Sequence, residues 1–269
     1  MEQFIHIPSG NTKLAATIHY PAQRQTAERY PLIIICHGFL STRIGVDRLF
    51  VQTARHLAEH GSIVVRFDYG GCGESSGDYG KLEMDDLIQQ TKDVIDSVLS
   101  LELVDQRRLT LLGHSLGGAV ALLTAVADPR VQSLVLWAAV AKPFTDITRI
   151  VGENLLASSP DGGVDYCGYR LTRQFFESLS RHQPLVQTHH FSGNVLLVHG
   201  TDDEEIPVDY CFLYERAFRL RNKGKCDKEV ILGANHTFSS IQHRERLLHV
   251  TTSWLDAEHR DMKRSNQVI

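Results

Sequence analysis

No apolar run in this sequence approaches the roughly 18 residues that a membrane-crossing helix needs, so no such helix is expected. An excess of one charge is also missing. Lys and Arg total 28 against 32 Asp and Glu, a net charge of −4, which offers nucleic acid or an anionic membrane no basic surface. Cysteine is scarce and unpaired: Cys36, Cys72, Cys167, Cys211 and Cys226 are odd in number, and none has a C-x-x-C partner. That argues against a disulfide framework and for a reducing compartment. The opening residues Met1 to Gly10 lack the basic and then apolar regions of a secretory leader, and a cytoplasmic protein is expected. Asn235-His236-Thr237 fits the glycosylation triplet, but nothing else suggests secretion, and the match is read as chance. No internal repeat, no low-complexity segment and no G-x-x-x-x-G-K phosphate loop occurs. The glycine-rich stretch Tyr69 to Gly77 does not complete G-x-G-x-x-G, since Ser76 stands where the last glycine would fall, and no helix opens there.

With 42% apolar and 22% charged residues, the composition is that of an ordinary globular protein, and 269 residues suffice for one large α/β domain or two small ones. Pro31 to Cys36, Ser62 to Asp68, Leu109 to Leu112, Ser133 to Ala138, Val195 to His199 and Glu229 to Leu232 read as strands. The more continuously apolar of them suit burial on both faces. Phe4 to Ile7 and Lys13 to Tyr20, joined by Pro8-Ser-Gly-Asn11, fit an antiparallel hairpin at one sheet edge. Helical spacing appears over Leu49–His60, Glu83–Leu101, Gly118–Ala127 and Pro207–Leu220, and a closing helix over about His243–Trp254 precedes a polar tail from Glu258. Between Ala139 and Phe191 the alternation stops. Ile147–Ala157 and Leu171–Leu179 read as short helices around the loop Ser158–Gly163. Residues 1–269 are therefore taken as a single domain with 140–190 as a lid or cap insertion, since an excursion this long between sheet strands is usually functional.

The chain is organised around Leu109-Thr-Leu-Leu-Gly-His-Ser-Leu-Gly-Gly118, in which strand, G-x-S-x-G and helix follow without a gap. That is the layout of a nucleophile elbow. The sharp turn presents Ser115 above the sheet, and side chains at 113 or 117 would clash. The N–H of Leu116, at the helix start, can donate to an oxyanion. A serine needs a base and a group to orient that base, and in an open α/β sheet these come from loops at the carboxyl ends of strands. One such loop, His199 to Pro207, offers Asp202, Asp203, Glu204 and Glu205; another, Gly233 to Phe238, offers His236. The order serine, acid, histidine is that of α/β-hydrolases.

These residues carry a resemblance over nearly the whole chain. With His37-Gly38-Phe39, the loop Phe67 to Ser75, Gly113 to Gly117, His199-Gly200 with Asp203 and Pro207, and Gly233 to His236, the sequence resembles serine hydrolases of the α/β-hydrolase fold. Within that fold it is most similar to bacterial carboxylesterases of the cinnamoyl and feruloyl esterase type. The resemblance implies a mostly parallel eight-stranded sheet with helices on both faces and a helical lid after strand six. It selects Asp203, four residues before Pro207, as the triad acid, with Asp202 next and Ile206 where the family pattern has valine. It also implies the backbone amides of Phe39 and Leu116 as oxyanion donors, and a serine carboxylesterase working without metal or other cofactor on short-acyl or hydroxycinnamoyl-type esters.

Other residues receive plainer readings. His114 and Gly118 serve packing, His37 orients the oxyanion loop, and Asp68 ties down the glycine loop. His189-His190 is set aside as a metal pair because neighbours on a strand point apart. Asp165, Tyr166, Tyr169 and Phe175 could line an acyl pocket, and fit equally a small core of the insertion itself. The expected partner is a small-molecule ester, with no nucleic acid and no membrane span; a homodimer is left open. The competing readings are a thioesterase, lysophospholipase or acyl-peptidase of the same fold, and a non-catalytic ligand-binding relative.

Overall fold

The computed structural model describes residues 1–22, 29–154 and 161–265, with side chains to residue 260. The apolar runs form the middle of one sheet. Strand β1 (Glu2–Ser9) pairs antiparallel with β2 (Thr12–His19), which pairs antiparallel with β4 (Ile63–Phe67). Strands β3 (Tyr30–Cys36), β5 (Val104–His114) and β6 (Val131–Trp137) continue it in parallel. A short hairpin, β7 (Val164–Tyr166) with β8 (Tyr169–Leu171), stands apart. Strands β9 (Asn194–Gly200) and β10 (Cys226–Ile231) complete an eight-stranded sheet in the order β1-β2-β4-β3-β5-β6-β9-β10.

Alternation inside the apolar runs decides which side chains meet which helices. Leu32, Ile34, Leu109, Leu111, Leu134 and Leu136 face one core, and Ile33, Ile35, Leu112, Val135 and Trp137 the other. The first core is closed by α2 (Met84–Leu99), α3 (Leu116–Ala127) and α7 (Asp209–Arg219). Between α3 and α7 in sequence come α4 (Pro143–Val151), α5 (Arg173–Ser180) and the short α6 (Pro184–Gln187). The second core is closed by α1 (Leu49–Glu59) and α8 (Ile241–Ser265). Among the described residues, no helix is long and apolar enough to cross a membrane.

Several expectations are corrected. The insertion between β6 and β9 is not wholly helical, because it holds the β7–β8 hairpin. Its three-residue strands are too short for period two to show, and its turn runs through Cys167 (φ 49°) and Gly168 (φ 83°) rather than a typical Asn-Gly. The helix expected over Leu171–Leu179 is α5, which starts after Thr172, whose hydroxyl caps it by accepting from Phe175 N–H at 3.3 Å. The helix expected over Ile147–Ala157 starts earlier, at Pro143, and ends at Val151 with Gly152 as its C-cap; residues 155–157, and 158–160 of the expected loop, lie outside the described residues. His189-His190 sits in a 3-10 turn with the two rings 3.8 Å apart, so the strand argument about this pair does not apply. The polar tail expected from Glu258 is helical to Ser265, and Asn194 Nδ2 donates to the buried Glu258 carboxylate at 2.6 Å, anchoring it to the sheet; residues 266–269 lie outside the description.

The hairpin docks by backbone. Thr172 donates to the Gly80 carbonyl through both its N–H and its hydroxyl, each at 2.9 Å. A Cβ at Gly80 would lie 1.9 Å from the Arg170 carbonyl oxygen. Gly80→Ala is therefore expected to cost roughly 1–3 kcal/mol and loosen the hairpin first. Urea unfolding and limited proteolysis within 161–172 measure this; unchanged stability with an equally protected hairpin counts against the docking role.

Candidate active site

The strand-to-helix turn between β5 and α3 fits only around glycines. A Cβ at Gly113 would sit 2.3 Å from the Gly117 carbonyl oxygen, and one at Gly117 would sit 2.2 Å from that of Cys36. Ser115 between them has φ 58° and ψ −126°, a strained conformation for a non-glycine residue. Its backbone is held on three sides. Ser115 N–H donates to Trp137 at 3.0 Å, and its carbonyl accepts from Gly118 N–H at 2.9 Å and Val140 N–H at 3.1 Å.

The loop after β3 closes against this turn. An ideal Cβ on Gly38 would lie 3.0 Å from Ser115 Cβ and 3.4 Å from its Oγ, so residue 38 is backbone pressed on the serine. His37 fixes that loop: its Nε2 accepts from Tyr69 N–H at 3.0 Å, which leaves Nδ1–H to donate to the Gly38 carbonyl at 2.9 Å. This is the orienting role expected of it. The amides of Phe39 and Leu116 donate to no acceptor among the described residues.

The acid and the base meet across two loops. His236 Nδ1 lies 2.8 Å from Asp203 Oδ2, and Asp203 Oδ1 accepts from the N–H groups of Glu205 at 2.9 Å and Ile206 at 2.8 Å. The Asp203 side chain is fully buried. Burial works against its charge, but hydrogen bonds from His199 and His236, the His236 charge and the Ile206 N–H outweigh it and hold the carboxyl below its ordinary range. Asp202 instead accepts from the Thr201 hydroxyl at 2.8 Å. Ser115 and His236 line one cavity of about 240 Å³ without a hydrogen bond between them in this conformation. A larger groove of about 380 Å³, between Phe144 and Val186, lies away from Ser115.

The cavity walls are Phe39, Leu40, Val46, Ile150, Tyr166, Cys167, Glu205 and Thr237, among others. Of the four residues named for a substrate pocket, Tyr166 lines the cavity and the other three do not. Phe175 is fully buried, stacked beneath Phe39 with centroids 5.9 Å apart. Tyr169 packs edge-on against Tyr79 at 6.2 Å. Asp165 is 83% exposed and pairs with Arg170 at 3.3 Å. A hairpin sends neighbouring side chains to opposite faces, so Tyr166 and Asp165 cannot both face the cavity.

Three supporting groups escaped the sequence reading. His114 is more than packing: its Nε2–H donates to the His236 carbonyl at 2.8 Å and so holds the histidine loop. His199 Nε2 lies 3.0 Å from both Asp203 Oδ2 and the Ile206 carbonyl, gripping the acid loop. Arg43 reaches under the glycine loop, its guanidinium donating to both Asp68 and Glu74, while its N–H donates to Asp68 Oδ1 at 2.5 Å. Asp68 also accepts from Glu74 N–H at 3.0 Å, tying down the loop as expected. Only position offered a signal: His114 directly precedes Ser115, His199 directly precedes the Asp203 loop, and Arg43 lies just beyond the His37-Gly38-Phe39 turn.

Buried histidines give the fold an acid limit. Burial pulls His114 down to about 3 and His37 and His19 to about 4, from an ordinary 6.5. Each stays neutral when folded and takes a proton when unfolded below about pH 6.5, so stability falls as pH drops from there toward 4. Each fully developed step is worth about 1.4 kcal/mol per pH unit. Urea unfolding at pH 7 and pH 5 is expected to show a loss of several kcal/mol; equal stabilities contradict neutral burial.

The serine aminopeptidase, S33 family (Hydrolase_4) matches residues 27–181, more than half of the chain. An uncharacterized 31.7 kDa protein of the traX-finO intergenic region of Escherichia coli is 37% identical over 134 residues, 48% of this chain and 44% of that protein. The quorum-quenching protein AidA of Acinetobacter baumannii is 30% identical over 143 residues, 53% of this chain and 44% of AidA. The matched stretch thus spans less than half the length of these relatives. Among solved structures, Est1E of Butyrivibrio proteoclasticus with bound ferulic acid superposes with a TM-score of 0.79 at 22% identity, over 96% of this chain and 98% of that one. The esterase domain of a Rhodothermus marinus protein gives 0.70 at 20%, over 94% and 97%. With the elbow, the strand order and this match together, the chain belongs to the serine aminopeptidase, S33 family of α/β-hydrolases.

Proposed function

We propose that the protein is a serine carboxylesterase that cleaves short-acyl or aromatic esters through an acyl-enzyme on Ser115. The observation that carries this reading is the Asp203–His236 hydrogen bond of 2.8 Å at a cavity that His236 shares with the strained Ser115. His236 Nε2 takes the Ser115 proton as Oγ attacks the ester carbonyl. The Phe39 and Leu116 amides receive the oxyanion, and removing one such donor typically costs about 10²–10³ in rate. Collapse breaks the bond to the alkoxy oxygen, which leaves as alcohol with the proton from His236. Water, deprotonated by the same nitrogen, then hydrolyses the acyl-enzyme. Asp203 fixes the tautomer with Nδ1–H toward itself and stabilises the imidazolium. The insertion at 140–190 acts as a cap, contributing Tyr166 to the pocket wall.

Labelling by a fluorophosphonate, mapped to its residue, together with a panel of p-nitrophenyl esters and methyl ferulate, tests the reading. Label on Ser115 with turnover of short or aromatic esters supports it. The absence of both turns attention to a ligand-binding role. Because the family is described as a serine aminopeptidase, the panel includes an aminoacyl p-nitroanilide. Faster cleavage of that amide than of any ester replaces esterase by peptidase.

A further inference from the structure

One charged side chain in the cavity has no part in the steps above. Glu205 Oε2 lies 3.6 Å from His236 Nε2, the nitrogen on the reacting side of the ring, and the side chain is 55% exposed. It lines the cavity with Ser115, and no Lys or Arg does so among the described residues. The nearby Arg149 guanidinium donates to the Glu205 backbone carbonyl, not to its carboxylate, and sits 3.9 Å from Asp146. Around this carboxylate the walls are apolar and aromatic. Tyr166 and Phe39 are stacked with centroids 6.1 Å apart, and the Glu205 charge is close enough to add to the rise that burial and Cys167 impose on the Tyr166 phenol.

The position says which half of the substrate meets this charge. His236 Nε2 delivers its proton to the leaving oxygen, so the alkoxy group must approach that nitrogen. A carboxylate beside it faces the alcohol rather than the acyl half. An ammonium group there gains an ion pair with Glu205, while an anionic alcohol meets uncompensated repulsion.

We infer that Glu205 is a specificity-determining residue that selects esters whose alcohol carries a cationic amine or ammonium group a few bonds from the ester oxygen. This rests on the ester-hydrolase reading above, and the test separates the two. Acetylcholine and its neutral isostere 3,3-dimethylbutyl acetate are compared by kcat/KM with wild type and Glu205→Gln. Wild type is expected to prefer the cation about tenfold, as for one ion pair at a partly solvated site. Glu205→Gln is expected to bring the ratio near one, and salt to shrink the wild-type preference. Any change in His236 basicity moves both esters alike and cancels in the ratio. A wild-type ratio at or below one, or a ratio that Glu205→Gln leaves unchanged, overturns the assignment. If wild type hydrolyses neither ester, the assignment is overturned as well. Fluorophosphonate label on Ser115 then shows that only the leaving-group assignment has failed, whereas no label removes the hydrolase reading with it.

Discussion

Ser115→Ala is expected to lower kcat/KM for the best p-nitrophenyl ester by about 10⁵-fold. The size follows from the division of labour at the site. On the proposed mechanism no acyl-enzyme forms without Oγ, and the Phe39 and Leu116 amides and substrate binding that remain would still act on a water molecule. Folding should hardly notice the change. Oγ makes no hydrogen bond to another described residue, and alanine keeps the Cβ that already fits against Gly38. A thermal melt within a few degrees of wild type, together with the lost rate and lost fluorophosphonate label, is the expected result. If activity survives the substitution, the nucleophile lies elsewhere and the cavity loses its proposed role.

Asp203→Asn is expected to cost about 10⁴-fold in kcat with little change in KM, the scale seen when a triad acid is neutralised in place. An amide can present its NH₂ to His236 Nδ1, which turns the ring to the tautomer with Nε2 protonated and unable to accept the serine proton. The neighbouring Asp202→Asn is the control. Asp202 touches the Thr201 hydroxyl and not the histidine, so its rate should stay within about twofold of wild type. Both variants assayed with one ester decide between the two acids. Equal losses, or a larger loss at 202, reassign the acid.

The acid loop also shows where reading a sequence runs out. Asp202, Asp203, Glu204 and Glu205 are chemically alike and adjacent, and no periodicity separates them. The fold does so by backbone direction. Asp203 turns inward because its Oδ1 caps the N–H groups of Glu205 and Ile206, which leaves Oδ2 for His236. Glu205 emerges on the other side of the same ring. Phe175 and Tyr166 present a similar contrast: both are aromatic residues of the insertion, yet one is buried beneath Phe39 and the other faces the cavity.

By itself the sequence determined the sheet, the helices that flank it, the glycine-flanked serine turn and the order of serine, acid and histidine. These are local matters. An apolar strand buried on both faces, a helix face or a clash at Gly117 is encoded within a few neighbouring residues, so spacing alone reveals it. The tertiary structure decided what depends on contacts between distant segments: His114 holding the His236 loop, Arg43 gripping Asp68, the β7–β8 hairpin docked on Gly80, and the Glu205 carboxylate beside His236 Nε2. Those contacts join loops whose positions follow from packing of the whole sheet, and loop side chains carry no period from which their direction could be read.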